Sequence, residues 1–105
     1  MKVILTDESL ENLSKTLSFF IEELEIPKKK VIEIKNRLLK KANTLSKQSH
    51  RGQKEPCLMS LNQGHRRLVE GEFKIIYLIE SDIVYVTDFF YTHRDLKKMK
   101  GYSKM

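Results

Sequence analysis

Glu55, Lys74 and His93 are side chains of this 105-residue chain whose types could respectively accept a proton, fix a positive charge and transfer a proton, and Arg66 or Arg67 could hold an anion beside them. Proton transfer at a phosphate-like centre requires one group that accepts, one that donates, and fixed cations for the charge that builds. His93 suits transfer, with a reference pKa of roughly 6.5. It also has a plainer role open to it, because a single histidine near a strand end is often a surface or hydrogen-bonded residue. Glu55 closes a stretch, residues 46–55 (SKQSHRGQKE), with no apolar residue and one glycine. That composition predicts a basic loop, on which a glutamate is by default a solvated surface acid. Lys74 stands among apolar neighbours, where a cation needs a partner. Arg66 and Arg67 are adjacent, so on a strand they point to opposite faces and only one can share a site with Lys74. Arg66 is the expected one. Cys57 has no visible partner for nucleophilic work and reads as a small buried hydrophobe. No metal and no cofactor are expected.

The elements that must position these residues follow from periodicity. Residues 2–5 read as a short strand, and Thr6 offers a side-chain oxygen to cap a helix whose first turn carries Asp7 and Glu8 at the positive dipole end. Leu10, Leu13, Leu17, Phe20, Ile21 and Leu24 keep spacings of three and four, which predicts a helix to about Glu25. Pro27 ends it. Val31, Ile34, Leu38, Ala42 and Leu45 predict a second helix from Lys28 to about Leu45, close enough to the first to form a hairpin. The period then changes. Residues 65–70, 73–80 and 83–90 are rich in β-branched and aromatic residues and are separated by Gly71 and by Ser81-Asp82, which predicts three consecutive antiparallel strands. The middle strand is apolar on both faces, so helices should cover one and something else, such as a partner chain, part of the other. Phe73, Tyr77, Tyr85 and Phe89 alternate and read as core or interface. Residues 95–105 are polar and lysine-rich, and a loosely ordered tail is expected over 96–105. The sum is one α+β domain, a helical hairpin packed on one face of a mostly antiparallel sheet.

Composition narrows the function classes. With 40% hydrophobic and 32% charged residues the chain is an ordinary globular domain, not a disordered one. No run reaches the roughly 18 apolar residues of a membrane span, the apolar start is too short for a signal peptide, and a lone cysteine makes no internal disulfide. A cytoplasmic location without membrane contact is expected. The net charge of +6 is segregated: residues 7–25 hold six acids and one lysine, whereas residues 26–54 hold ten Lys or Arg and only Glu33. A basic face, and with it a polyanionic partner, is therefore expected.

Two segments carry a family resemblance. Residues 64–77 (GHRRLVEGEFKIIY) resemble the strand pair of RelE/ParE toxins, an arginine strand, a short turn, an aromatic or polar residue, a base, two aliphatics and a tyrosine. Residues 87–95 (TDFFYTHRD) are similar to the last strand and its His- or Arg-containing tail. The resemblance implies the toxin of a bacterial type II toxin-antitoxin pair, held silent by a cognate antitoxin. One branch cleaves messenger RNA on the ribosome without a metal. There Glu55-Pro56 is similar to the Glu-Pro of YoeB-type members, which makes Glu55 the base, Lys74 stands where an arginine is usual, and Tyr91 or His93 stands near a terminal His-Tyr pair. Arg66, Arg67, Arg94, Lys54 and Arg51 become candidates for binding RNA or the antitoxin. Lysine for arginine replaces a bidentate fork by a point charge. The ParE-like branch inhibits DNA gyrase without those residues, and the long helical hairpin and Arg94-Asp95 resemble that branch instead. A non-toxic basic nucleic-acid-binding module is the third expectation.

Overall fold

The computed structural model describes residues 1–49, 52–55 and 64–93. Strand β1 (Lys2–Leu5) leads into helix α1 (Asp7–Glu22). Thr6 caps that helix as its sequence predicts, its hydroxyl oxygen accepting from the Ser9 N–H at 3.1 Å. The same hydroxyl donates to the Val86 carbonyl at 3.0 Å, so the helix start is tied to the sheet. Helix α1 stops three residues short of the expected end. Glu25 adopts a left-handed φ of 53°, and the Ile26 N–H reaches back to the Phe20 carbonyl at 3.0 Å. Helix α2 (Lys28–Asn43) follows Pro27 and tightens into a 3₁₀ turn, Thr44–Ser46.

Four further strands complete a five-stranded sheet of order β1-β5-β4-β3-β2: β2 (Gln53–Lys54), β3 (Arg66–Glu70), β4 (Phe73–Glu80) and β5 (Ile83–Tyr91). The α+β architecture is the expected one, with one amendment. The sheet is mixed, because β1 runs parallel to β5 while the other three ladders are antiparallel. Strand β2 falls within the segment read as loop. Two polar residues carry no periodic signal, and only their pairing with Arg66 and Arg67 makes them a strand.

Two-residue turns set the register of the meander. Ser81 and Asp82 both have positive φ, 51° and 61°, as a type I′ turn demands. Gly71, at φ 59°, opens the other turn and places Val69 opposite Lys74. A bulge interrupts β4 and β5: Ile76 faces Asp88 and Tyr77 faces Val86, which leaves Thr87 between them outside the register, its hydroxyl donating to the Ile76 carbonyl at 3.4 Å. The core lies between the helical hairpin and one sheet face. Leu13 and Phe20 of α1 and Leu38 of α2 pack with Phe73, Ile75, Tyr77 and Phe89 of the sheet. Burying a large apolar side chain there contributes roughly 1.5–3 kcal/mol. Tyr85 is half-buried. Ile76 and Phe90 are buried yet stand outside this cluster, so the second face of the central strands is covered too.

Candidate functional site

Strand alternation sends Phe73, Ile75 and Tyr77 toward the helices and leaves Lys74 on the opposite face, beside Phe90 of β5 and Val69 of β3. Arg67, two residues from Val69, shares that face. Beyond β2 the chain stays on the sheet edge, because the Glu55 N–H donates to the His65 carbonyl at 2.9 Å. This delivers the Glu55 carboxylate to the two cations. Lys74 Nζ donates to Oε1 at 3.0 Å and to Oε2 at 3.4 Å, and Arg67 Nη1 donates to Oε2 at 3.2 Å. The same Arg67 nitrogen reaches the Lys54 carbonyl at 3.0 Å. The side chain of Glu55 is 0% exposed, and those of Lys74 and Arg67 are each 22% exposed. Two cations thus meet one buried carboxylate at a partly open surface.

Arg67, not Arg66, therefore joins Lys74, which corrects the expectation. The Gly71-Glu72 turn decides it: with Val69 opposite Lys74, odd-numbered residues of β3 share the Lys74 face, and Arg66 lies opposite Tyr77 instead. Arg66 Nη1 donates to the Gly52 carbonyl at 2.9 Å. Tyr77 anchors the same stretch from within the core, its hydroxyl donating to the Ser49 carbonyl at 2.7 Å and accepting from the Gly52 N–H at 3.0 Å. A Cβ at residue 52 would collide with the Tyr77 hydroxyl and come within 2.6 Å of the Arg67 carbonyl, so a glycine is required there. This anchor carries no motif of its own.

His93 and Tyr91 form a different group. Tyr91 packs on the helix side, its ring centroid 5.0 Å from that of Phe20 and 5.5 Å from that of Phe73. His93 stacks edge-on against Tyr91 at 5.0 Å, and its Nε2 lies 3.1 Å from Glu72 Oε1, with both side chains well exposed. Burial, and then the neighbouring Glu72 charge, push the Tyr91 phenol above its ordinary pKa. A cavity of about 110 Å³ opens at this end, floored by Phe20, Leu38 and Phe73 and rimmed by Arg37 and Glu72. The expected gathering of Arg66, Lys74 and His93 on one surface does not occur, since each bonds to a different set of neighbours. Lys54 is exposed. Arg51, Arg94, Cys57 and the tail from residue 96 lie outside the described residues.

One titratable group went unmarked in the sequence. His65 is 5% exposed, and among the described residues its Nδ1 has no hydrogen-bond partner. Burial lowers its pKa below 6.5. Among the described residues no three His, Cys, Asp or Glu side chains come together as metal ligands, and no helix is long and apolar enough to cross a membrane. No protein-family model matches the chain, and no curated protein matches it either.

Proposed function

We propose that this chain is the toxin of a two-component toxin-antitoxin pair, and that it arrests growth by binding an essential protein, not by cutting messenger RNA on the ribosome. DNA gyrase is the target implied by the ParE-like branch. The order of strand, helical hairpin and meander supports the superfamily reading, together with the residue patterns at 64–77 and 87–95. Glu55 carries the choice of branch. Its carboxylate is fully buried and both oxygens are engaged by Lys74 and Arg67, so no substrate hydroxyl reaches it. His93, the acid candidate, belongs to the Tyr91 and Glu72 group. An acid and a base must reach the same reacting bond, and these two are held by different neighbours. Lys74, which keeps 22% exposure beside its Glu55 partner, instead suits an acidic side chain of a cognate antitoxin. A cytoplasmic location goes with this reading.

Induced expression should stop bacterial growth, and co-expression of the cognate antitoxin should relieve the arrest. Arrest should persist in His93→Gln, an exposed position, and total messenger RNA should carry no codon-positioned cuts. Purified protein should inhibit supercoiling by gyrase. Codon-positioned cuts that vanish in His93→Gln would return the protein to the ribonuclease branch. Soluble expression with unimpeded growth would reject toxicity altogether.

A further inference from the structure

We infer that the outward face of α2, continued through the 3₁₀ turn to Lys47, binds the phosphodiester backbone of a nucleic acid. Helix α2 holds seven Lys or Arg and one acid, Glu33. Its apolar stripe, Val31, Leu38 and Ala42, faces the core, which leaves Lys28, Lys29, Lys30, Lys35, Arg37 and Lys40 exposed. Among the described residues none of these six cations takes part in a salt bridge. Among the described residues no acid of α1 forms a salt bridge with them, and Glu11 pairs with Lys15 on its own helix. Arg37 lies three and four residues from Lys40 and Lys41, spacings at which like charges repel on a helix. A surface selected only for solubility intersperses the two signs. This helix concentrates one sign, with Glu33 as its one acid.

The lining of the face selects the partner. Two shallow depressions run along it, one bordered by Glu33, Asn36, Arg37 and Lys40, the other by Lys40, Asn43, Thr44 and Lys47. They share Lys40, and every residue named is polar. A protein partner needs a desolvated apolar centre with charge at its rim, and no apolar side chain lines either depression, although Ile32 is exposed on the same helix. Cations interleaved with amide and hydroxyl groups are instead the set that contacts phosphate and sugar oxygens. Base edges go unread by such a surface, so binding is sequence-independent and weakens steeply with salt through counterion release. This inference does not rest on toxicity, and its test needs no cells.

The experiment is a salt titration of the purified full-length chain, read by fluorescence anisotropy. The probes are a 20-base-pair duplex DNA, a single-stranded RNA of the same length, and polyglutamate. Two charge-matched variants accompany it: Arg37→Gln/Lys40→Gln on the face, and Lys15→Glu on α1, away from it. All three positions are exposed, and circular dichroism verifies folding. At 100 mM salt the face variant should lose about tenfold or more in affinity, with its log-log salt slope shallower by about 2, while the other variant changes by less than about twofold. Tighter binding of duplex or of RNA assigns the physiological source, and either upholds the inference. Equal losses in both variants, tighter binding of polyglutamate than of either nucleic acid, or no nucleic-acid binding at 50 mM salt would overturn it.

Discussion

The two faces of the sheet are built on opposite principles, although strands β3 and β4 supply residues to both. On the helix side, Phe73, Ile75 and Phe89 meet Leu13, Phe20 and Leu38, and the contact is mainly apolar, crossed by a buried hydrogen bond from Asn12 Nδ2 to Asp88 Oδ1 at 3.2 Å. On the other side, Glu55, Arg67 and Lys74 lock a carboxylate between two cations beside the buried Phe90. Apolar packing is non-directional, and any well-filled arrangement stabilises the fold. A buried ion cluster is different: desolvation offsets most of its attraction, so it adds little net stability, yet breaking it is costly. A chain under selection for stability alone would place hydrophobic residues on both faces. The antitoxin contact proposed above would give the Lys74 charge a use beyond stability.

Breaking the apolar face should have the largest effect. Phe89→Ala removes a fully buried ring from the centre of the core, and urea denaturation should register a loss of about 4 kcal/mol. Glu55→Gln should follow at about 3 kcal/mol, because Lys74 and Arg67 keep 22% exposure and are partly rehydrated when their partner is lost. A triple variant sharpens the contrast: Glu55→Leu, Arg67→Met and Lys74→Met together should regain stability to within about 1 kcal/mol of the parent chain. That variant should fold yet fail to bind antitoxin. A stable triple variant that still binds it with parental affinity would reduce the cluster to a packing device.

The same contrast explains what could be read in advance. The helix-side face was legible, because periods of two and 3.6 announce themselves in a linear sequence and the Thr6 cap needs only its own next residues. Glu55 and Lys74 stood out by type, but their contact depends on β2, two polar residues that become a strand only against Arg66 and Arg67. Arg67 was within reach. A two-residue turn at Gly71-Glu72 implies Val69 opposite Lys74, and alternation then favours Arg67 over Arg66. The parallel seating of β1 on β5 and the Tyr77 hydroxyl bridging Ser49 and Gly52 were not within reach, since each joins segments separated by loops whose path no local pattern fixes.

His65 gives the smallest and most specific way to probe the charged face, since it lies just ahead of β3 and its carbonyl holds the Glu55 backbone. Burial depresses its folded pKa below 6.5, so the native state keeps the ring neutral where the unfolded chain would protonate it. Above pH 6.5 both states are neutral and the group is silent. As the pH falls below 6.5, the unfolded chain binds a proton that the native chain refuses, and stability drops until the folded pKa is reached. One proton limits the slope to about 1.4 kcal/mol per pH unit. The urea midpoint should therefore fall between pH 7.5 and 5.5 in the parent chain and in His93→Gln, and fall less in His65→Leu, which removes the titrating ring and leaves no orphaned nitrogen. If His65→Leu tracks the parent over that range, the acid sensitivity belongs to the carboxylates, and the buried histidine is a spectator of the ion cluster beside it.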